Sequence, residues 1–271
     1  MKLDSNLAWQ DAQAAIKGNR EVLLALAGVF FFVPALAFAL LYPQPQAPST
    51  LTPQQAAMLL QDFYRQAFPF MLPMLVAQVL GSMAVLTLFT DRTRPTVGGA
   101  IGHGVIDTIV FLGAMLMFWV ASGLVLGLTV SLAAVTGVAP LAAIVTALCL
   151  VAMLYCLVRI AMVMPVIAVE GQRNPLHALR RSWLMTRGNA ARIFLVVVLL
   201  FVVYLVVSTA LTALAGIAFG LALGVKAGQI ATAVLTAAAS AVFTLYVIAI
   251  LAMMHRQLAG PSPEVIGTTF D

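Results

Sequence analysis

Ionisable side chains are scarce in this sequence, and two of them, Asp107 and Arg159, fall inside long apolar runs. A carboxylate or guanidinium at such depth is costly, so these residues mark ion pairs, proton paths or ligand cavities. Asp107 lies a few residues into the third run, and Arg159 about ten residues before the end of the fourth. The two runs are sequence neighbours and the depths agree to within two turns. That spacing predicts that both side chains face the protein interior, paired directly or through water. Three uses fit such a pair: fixing helix register, lining a polar cavity or proton path, or snorkelling towards the headgroups. Glu170 follows Pro165 by five residues at the boundary of the fourth run, with Arg173 or Arg180 as natural partners.

Other chemistries lack a residue set. His103, His177 and His255 fall near run boundaries without metal-ligand spacing, and no His-x-x-x-His, Cys-x-x-Cys or His-Glu-x-x-His occurs. No Gly-x-Ser-x-Gly elbow or phosphate-binding Gly-Lys loop occurs either. An intramembrane protease needs a Ser-His or paired-Asp set in its spans, and Asp107 alone cannot make one. Cys149 and Cys156 share a helix face but stand roughly 10 Å apart along the axis, too far for a disulfide. The expectation is therefore a protein that is not an enzyme, with no metal and no cofactor.

The elements that must position these residues are membrane spans. Of 271 residues, 63% are hydrophobic and only 8% charged. A soluble domain carries roughly a quarter charged residues, so this chain cannot cover a water-facing surface but can cover a lipid-facing one. Crossing about 30 Å of hydrocarbon takes roughly 20 apolar residues. Six stretches qualify: 22–41, 68–90, 105–135, 141–169, 193–223 and 230–254. The first has acidic residues Asp4, Asp11 and Glu21 ahead of it, and reads as a retained helix rather than a cleaved signal. Eleven of the Lys and Arg residues fall on one side of these spans; the other side holds Arg65 and Lys226, with Arg159 in a span. Basic residues stay in the cytoplasm, which predicts N-terminus and C-terminus both inside. The same distribution, short basic loops between spans, excludes a nucleic-acid-binding domain. The net charge of +5 is that of a membrane-oriented chain.

Two further elements follow from local signals. On the outer side, Thr52 can cap a helix beginning at Pro53, and residues 54–66 read as a short amphipathic helix on the membrane surface or a gating lid. On the inner side, the segments entering the odd spans look alike. Ala14-Ala15-Ile16-Lys17-Gly18-Asn19-Arg20-Glu21 parallels Leu184-Met185-Thr186-Arg187-Gly188-Asn189, each after a helical stretch carrying Trp9 or Trp183. Gly99 to Asp107 is a weaker middle copy. The expected fold is all-α and integral to the membrane, with six transmembrane helices as three repeats of an interfacial amphipathic helix plus a transmembrane hairpin. Residues 1–259 form one domain and 260–271 a disordered cytoplasmic tail. In the best-formed copy, Asn174 caps, Pro175 starts the helix, and Leu176, Leu179 and Trp183 share a face. Arg173, Arg180, Arg181 and Arg187 there suit anionic headgroups or a protein partner, at about 1 kcal/mol per basic residue.

Arg159, Pro165, Glu170, Ala178-Leu179-Arg180-Arg181-Ser182-Trp183 and Arg187-Gly188-Asn189 together resemble a bacterial membrane family. It comprises the membrane domain of glycerophosphoryl diester phosphodiesterases and the YciC-like inner-membrane proteins. The resemblance implies a bacterial inner-membrane location and a role in envelope homeostasis. In the enzymes of that family, hydrolysis belongs to a separate soluble barrel. The longest inside loop here has about 23 residues, so the resemblance argues against phosphodiesterase activity. The expected function is a non-enzymatic inner-membrane protein that organises lipids or a membrane protein partner. The alternative is a small transporter or lipid translocator. It would use a cavity near Asp107 and Arg159, with helices broken at Pro165 and at Gly216, Gly220 and Gly224.

Overall fold

The computed structural model of the protein describes residues 3–43, 52–90 and 97–259. Lys2, Pro45, Pro48, Arg92, Arg94 and the segment 260–271 lie outside them. The described residues are all-α, with six helical stretches long and apolar enough to cross a membrane. In chain order the helices are α1 (Ser5–Gly18), α2 (Arg20–Ala27), α3 (Val33–Leu41), α4 (Pro53–Thr90) and α5 (Val97–Val135). After them come α6 (Ala139–Arg159), α7 (Val163–Glu170), α8 (Pro175–Met185), α9 (Ala190–Leu223) and α10 (Val225–Ala259).

The core is concentrated at one end of the bundle. Met83, Leu86, Val163, Ile167, Ile250 and Met254 are fully buried there, beneath α1 and α8. The two ends of the chain are tied together at the same place. Asp4 N donates to Gln257 (3.0 Å), Leu3 N donates to Asn189 Oδ1 (2.9 Å), and Arg256 pairs with Asp11. Away from that end the helices expose apolar side chains such as Leu124, Leu128, Leu150, Leu214 and Leu221. Such a surface is unfavourable in water and fits hydrocarbon, where apolar side chains are the ordinary covering.

The first span is not one regular helix. Residues Gly28–Phe32 form a π-helical turn between α2 and α3. Pro34 lacks the N–H that would bond to the Phe30 carbonyl, and a widened turn absorbs the mismatch. The bulge swings Phe30 and Phe31 onto α4, where Gly81 makes room: a Cβ there would lie 2.4 Å from Phe30 Cβ.

Two segments expected to stand apart continue into spans instead. Thr52 and Gln55 do form the reciprocal cap, Gln55 N to Thr52 Oγ1 and Thr52 N to Gln55 Oε1, but the helix they start runs unbroken to Thr90. The 54–66 stretch is therefore the first part of α4, not a separate helix. No glycine interrupts it, and Phe63 packs edge-on against Phe38 of α3. Likewise the middle copy of the repeat has no helix of its own, because Val97–Val135 is continuous. The first and last copies do have short separate helices, α1 and α8. Only the last turns at a left-handed glycine, Gly188 (φ +81); in the first, Asn19 keeps φ −126.

The α9–α10 hairpin corrects the expected glycine break. Gly216 and Gly220 lie within an unbroken α9, and only Gly224, at its end, is left-handed (φ +91). What the glycines do is let α10 approach. A Cβ on Gly228 would lie 2.9 Å from the Gly216 carbonyl oxygen and 3.1 Å from the Gly220 Cα, both backbone atoms that cannot rotate away. Gly228→Ala should therefore cost about 1–3 kcal/mol. Gly127→Ala, where a Cβ meets nothing within 4 Å, should be neutral or slightly stabilising. Thermal unfolding in detergent of the two variants checks the contrast.

Candidate functional site

The site is built around a break in the fourth span. Pro165 has no N–H for the Ala161 carbonyl, which removes one helical hydrogen bond from this stretch. The chain stops at Arg159, turns over residues 160–162, and restarts as α7. The turn lies in the packed core, so it frees backbone groups that water cannot reach. Ser182 of α8 supplies the missing partners: its hydroxyl donates to the Arg159 carbonyl (2.9 Å) and accepts from Met162 N (3.2 Å). Thr186 Oγ1, one turn on, donates to the same carbonyl (3.2 Å). One small hydroxyl thus satisfies both sides of the break, as non-helical backbone buried in a protein core requires.

The break also moves Arg159. The sequence places it mid-span, but α6 alone, at 21 residues, is about 31 Å long and long enough to cross. Arg159 is its last residue, level with the start of α9. Counting equal lengths from the Thr136–Val138 turn puts Met115 of α5 opposite Arg159. Asp107 lies eight residues further along, about 12 Å towards the end that carries the termini. No ion pair joins Asp107 and Arg159 among the described residues, and this separation is the reason. Both side chains are buried, at 4% and 3% exposure. Asp107 Oδ1 instead lies 3.5 Å from Arg173 NH1, whose side chain is 51% exposed.

Arg159 has no carboxylate. Its guanidinium lies over Trp183 (4.6 Å to the ring centroid) and near Tyr155 (5.8 Å), and those two rings meet edge to face. Its Nε is buried without a hydrogen-bond partner. Beside it opens a cavity of about 520 Å³ between α6 and α9. Arg159, Arg187 and the first residues of α9 form its polar wall, and Val151, Leu154 and Phe194 part of its apolar one.

Glu170 is the second centre. Arg181 grips it with two nitrogens, Nε at 3.0 Å from Oε2 and Nη2 at 3.2 Å from Oε1, and His255 Nε2 lies 3.0 Å from Oε1. The partner is Arg181, not Arg173 or Arg180. Ala178, Ser182 and Met185 are the buried positions of α8, and Arg181 shares their stripe while Arg180 points away. The inward face of α8 is therefore the small and polar one. Leu176 and Leu184 are exposed, and Trp183 divides its surface between Arg159 and the outside.

The residues that sequence reasoning missed are those satisfying backbone or pairing across long separations. Ser182 and Thr186 stand one helical turn apart beside Ala178 and Met185, a small-and-polar face that could have been recognised. His255 is buried against Glu170, and Arg192 donates to the Leu3 carbonyl (2.7 Å), with no local signal for either. Among the described residues no group of His, Cys, Asp and Glu is placed to hold a metal.

A family model described as a domain of unknown function, DUF7847, matches residues 11–258. The chain belongs to that family. The match takes in Asp107, Arg159, Glu170, Ser182 and His255, so the stapled break and its neighbours lie wholly within the family domain. No curated protein and no solved structure matches the chain.

Ser182→Ala should destabilise by about 1–3 kcal/mol, since it leaves the Met162 N–H without an acceptor. Glu170→Gln should cost about 2 kcal/mol by weakening two charge-assisted contacts. Asp107→Asn should change stability by less than about 1 kcal/mol, because the Arg173 guanidinium beside it is half exposed and at 3.5 Å makes no close hydrogen bond. Unfolding midpoints of the three variants in one detergent test this ordering.

Proposed function

We propose that this is a non-enzymatic protein of the bacterial inner membrane, with both termini cytoplasmic, that organises anionic lipids or a membrane protein partner at the cytoplasmic face. The observation that carries the reading is the outward surface of α8. Leu176, Trp183 and Leu184 are exposed beside exposed Arg180 and Arg187, while the acid nearest them, Glu170, is occupied by Arg181 and His255. An apolar and basic surface of this kind, next to the start of a long apolar helix, suits the headgroup level of an anionic leaflet. The excess of basic residues on this side supports its being the cytoplasmic one. The resemblance to the phosphodiesterase membrane domain and the YciC-like proteins supports the same location.

A specific observation favours one second reading, a translocator. A cavity of about 710 Å³ lies near the opposite end between α3 and α10, with Lys226, Gln229 and Tyr204 in its wall. Neither it nor the cavity beside Arg159 includes Asp107 in its lining. A translocator would have to open a path between them through the close-packed inner core.

Native mass spectrometry of the protein released from bacterial membranes tests the main reading. Anionic phospholipid should be enriched over the bulk membrane, and Arg180→Gln with Arg187→Gln should reduce that enrichment severalfold, at about 1 kcal/mol per charge. Equal lipid profiles for the native and doubly substituted proteins, with no retained protein partner, would remove its basis. Flux of labelled lipid in proteoliposomes would favour the translocator instead.

A further inference from the structure

We propose that the cavity between α6 and α9 is a specific site for one phosphate-bearing anion, held by Arg159, Arg187 and the N-terminus of α9. The inference rests on the lipid-organising reading and names the place and chemistry of a single bound group within it.

The argument begins with Arg159. A guanidinium 3% exposed has lost almost all of its water, a loss of several kcal/mol. Stacking on Trp183 and Tyr155 returns only about 0.5–2 kcal/mol. Stacking also covers the faces of the guanidinium and leaves its N–H groups, which lie in the plane, pointing past the rings. Among the described residues, neither a carboxylate nor a carbonyl accepts from them. Proteins rarely bury such a donor set without an acceptor.

The cavity it borders is built for an anion. Ala190 and Ala191, in its wall, open a helix of 34 residues whose first N–H groups have no side-chain cap. Asn189, in the capping position, gives its oxygen to Leu3 N instead. Uncapped N–H groups and the positive end of the helix dipole are a standing anion site. Arg187 adds a second full charge from the rim, and the lining contains no acidic residue. The carbonyl end of α6 would oppose an anion, but its last carbonyl, that of Arg159, is turned to Ser182 and Thr186. Two guanidinium groups and a row of N–H donors match the tetrahedral oxygens of a phosphate better than a planar carboxylate. The apolar wall formed by Val151, Leu154 and Phe194 continues away from the charges, as an acyl chain attached to that phosphate would require.

The test uses the full chain in nanodiscs of phosphatidylcholine, with thermal unfolding and native mass spectrometry as readouts. Phosphatidic acid and inorganic phosphate are added separately. Binding should raise the unfolding midpoint of the native protein, and Arg159→Gln should weaken it by about tenfold or more. Ala191→Glu keeps Arg159, alters an exposed position, and should abolish binding by placing a carboxylate in the cavity. It covers the case in which Arg159→Gln does not fold. A response to phosphatidic acid alone assigns a membrane lipid; a response to both ligands assigns the phosphate group itself. Either supports the site when Ala191→Glu removes it. If Ala191→Glu binds as the native protein does while Arg180→Gln, outside the cavity lining, loses lipid, the cavity is not the site and the broader reading stands. No ligand response in any form of the protein, with no lipid enrichment, overturns both.

Discussion

The hydroxyl of Ser182 holds together the part of this molecule where structure and chemistry coincide. It bonds on one side to the last carbonyl of α6 and on the other to the N–H that precedes α7. Without that pair of bonds, the 160–162 turn would carry unpaired backbone groups where water is excluded. Everything at this end follows from the turn being allowed. It ends the span at Arg159 and sends α7 into the core, where Val163, Val166 and Ile167 are fully buried. It also delivers Glu170 to Arg181 and His255, so one break positions a cation at the cavity and an acid at the core's edge.

The same end also shows two ways of keeping a charge away from water. Glu170 is met by two partners with good geometry, so its burial is compensated by hydrogen bonds to charged or chargeable groups. Asp107 is more deeply buried, yet its ion-pair partner among the described residues, Arg173 at 3.5 Å, is itself half in solvent. Arg159 has aromatic faces and no acceptor. Structural ion pairs resemble the first case, and the third lacks the partner that would make it structural.

Much of the fold was legible in the sequence because hydrocarbon imposes a simple length rule. Six apolar stretches were visible, and six helical stretches are long and apolar enough to cross. The rule reads length well and interruptions poorly. It carried the fourth span through Arg159 to Val169, because a proline six residues beyond an arginine does not say which turn will open. It also separated residues 54–66 from α4, because amphipathic spacing is the same whether a helix lies flat or stands upright. Phe63 against Phe38 decides that, and the contact joins residues 25 apart in the chain. Pairing was the least legible. Asp107 and Arg159 looked like neighbours because their spans are adjacent, yet depth is set by where each helix ends. Arg180 and Arg181 are chemically equivalent letters, and only the buried stripe through Ala178, Ser182 and Met185 separates them.

The distribution of packing bears on function as well. A transporter that alternates between two openings needs interfaces that can slide or rock. The inner core here is filled by Met83, Leu86, Met162, Ile250 and Met254, and it is fastened by contacts joining α1 to α10, α8 to α7 and Leu3 to α9. At the other end the α9–α10 hairpin is locked by glycines in backbone contact. Neither place offers a two-state element. One opening is lateral: the side of α6 and α9 between those fastened ends, bordered by a stacked guanidinium and an uncapped helix start. A rigid body with a side cavity can hold a ligand from the surrounding membrane without any conformational cycle. The geometry therefore fits retention of a lipid or partner better than passage of a substrate.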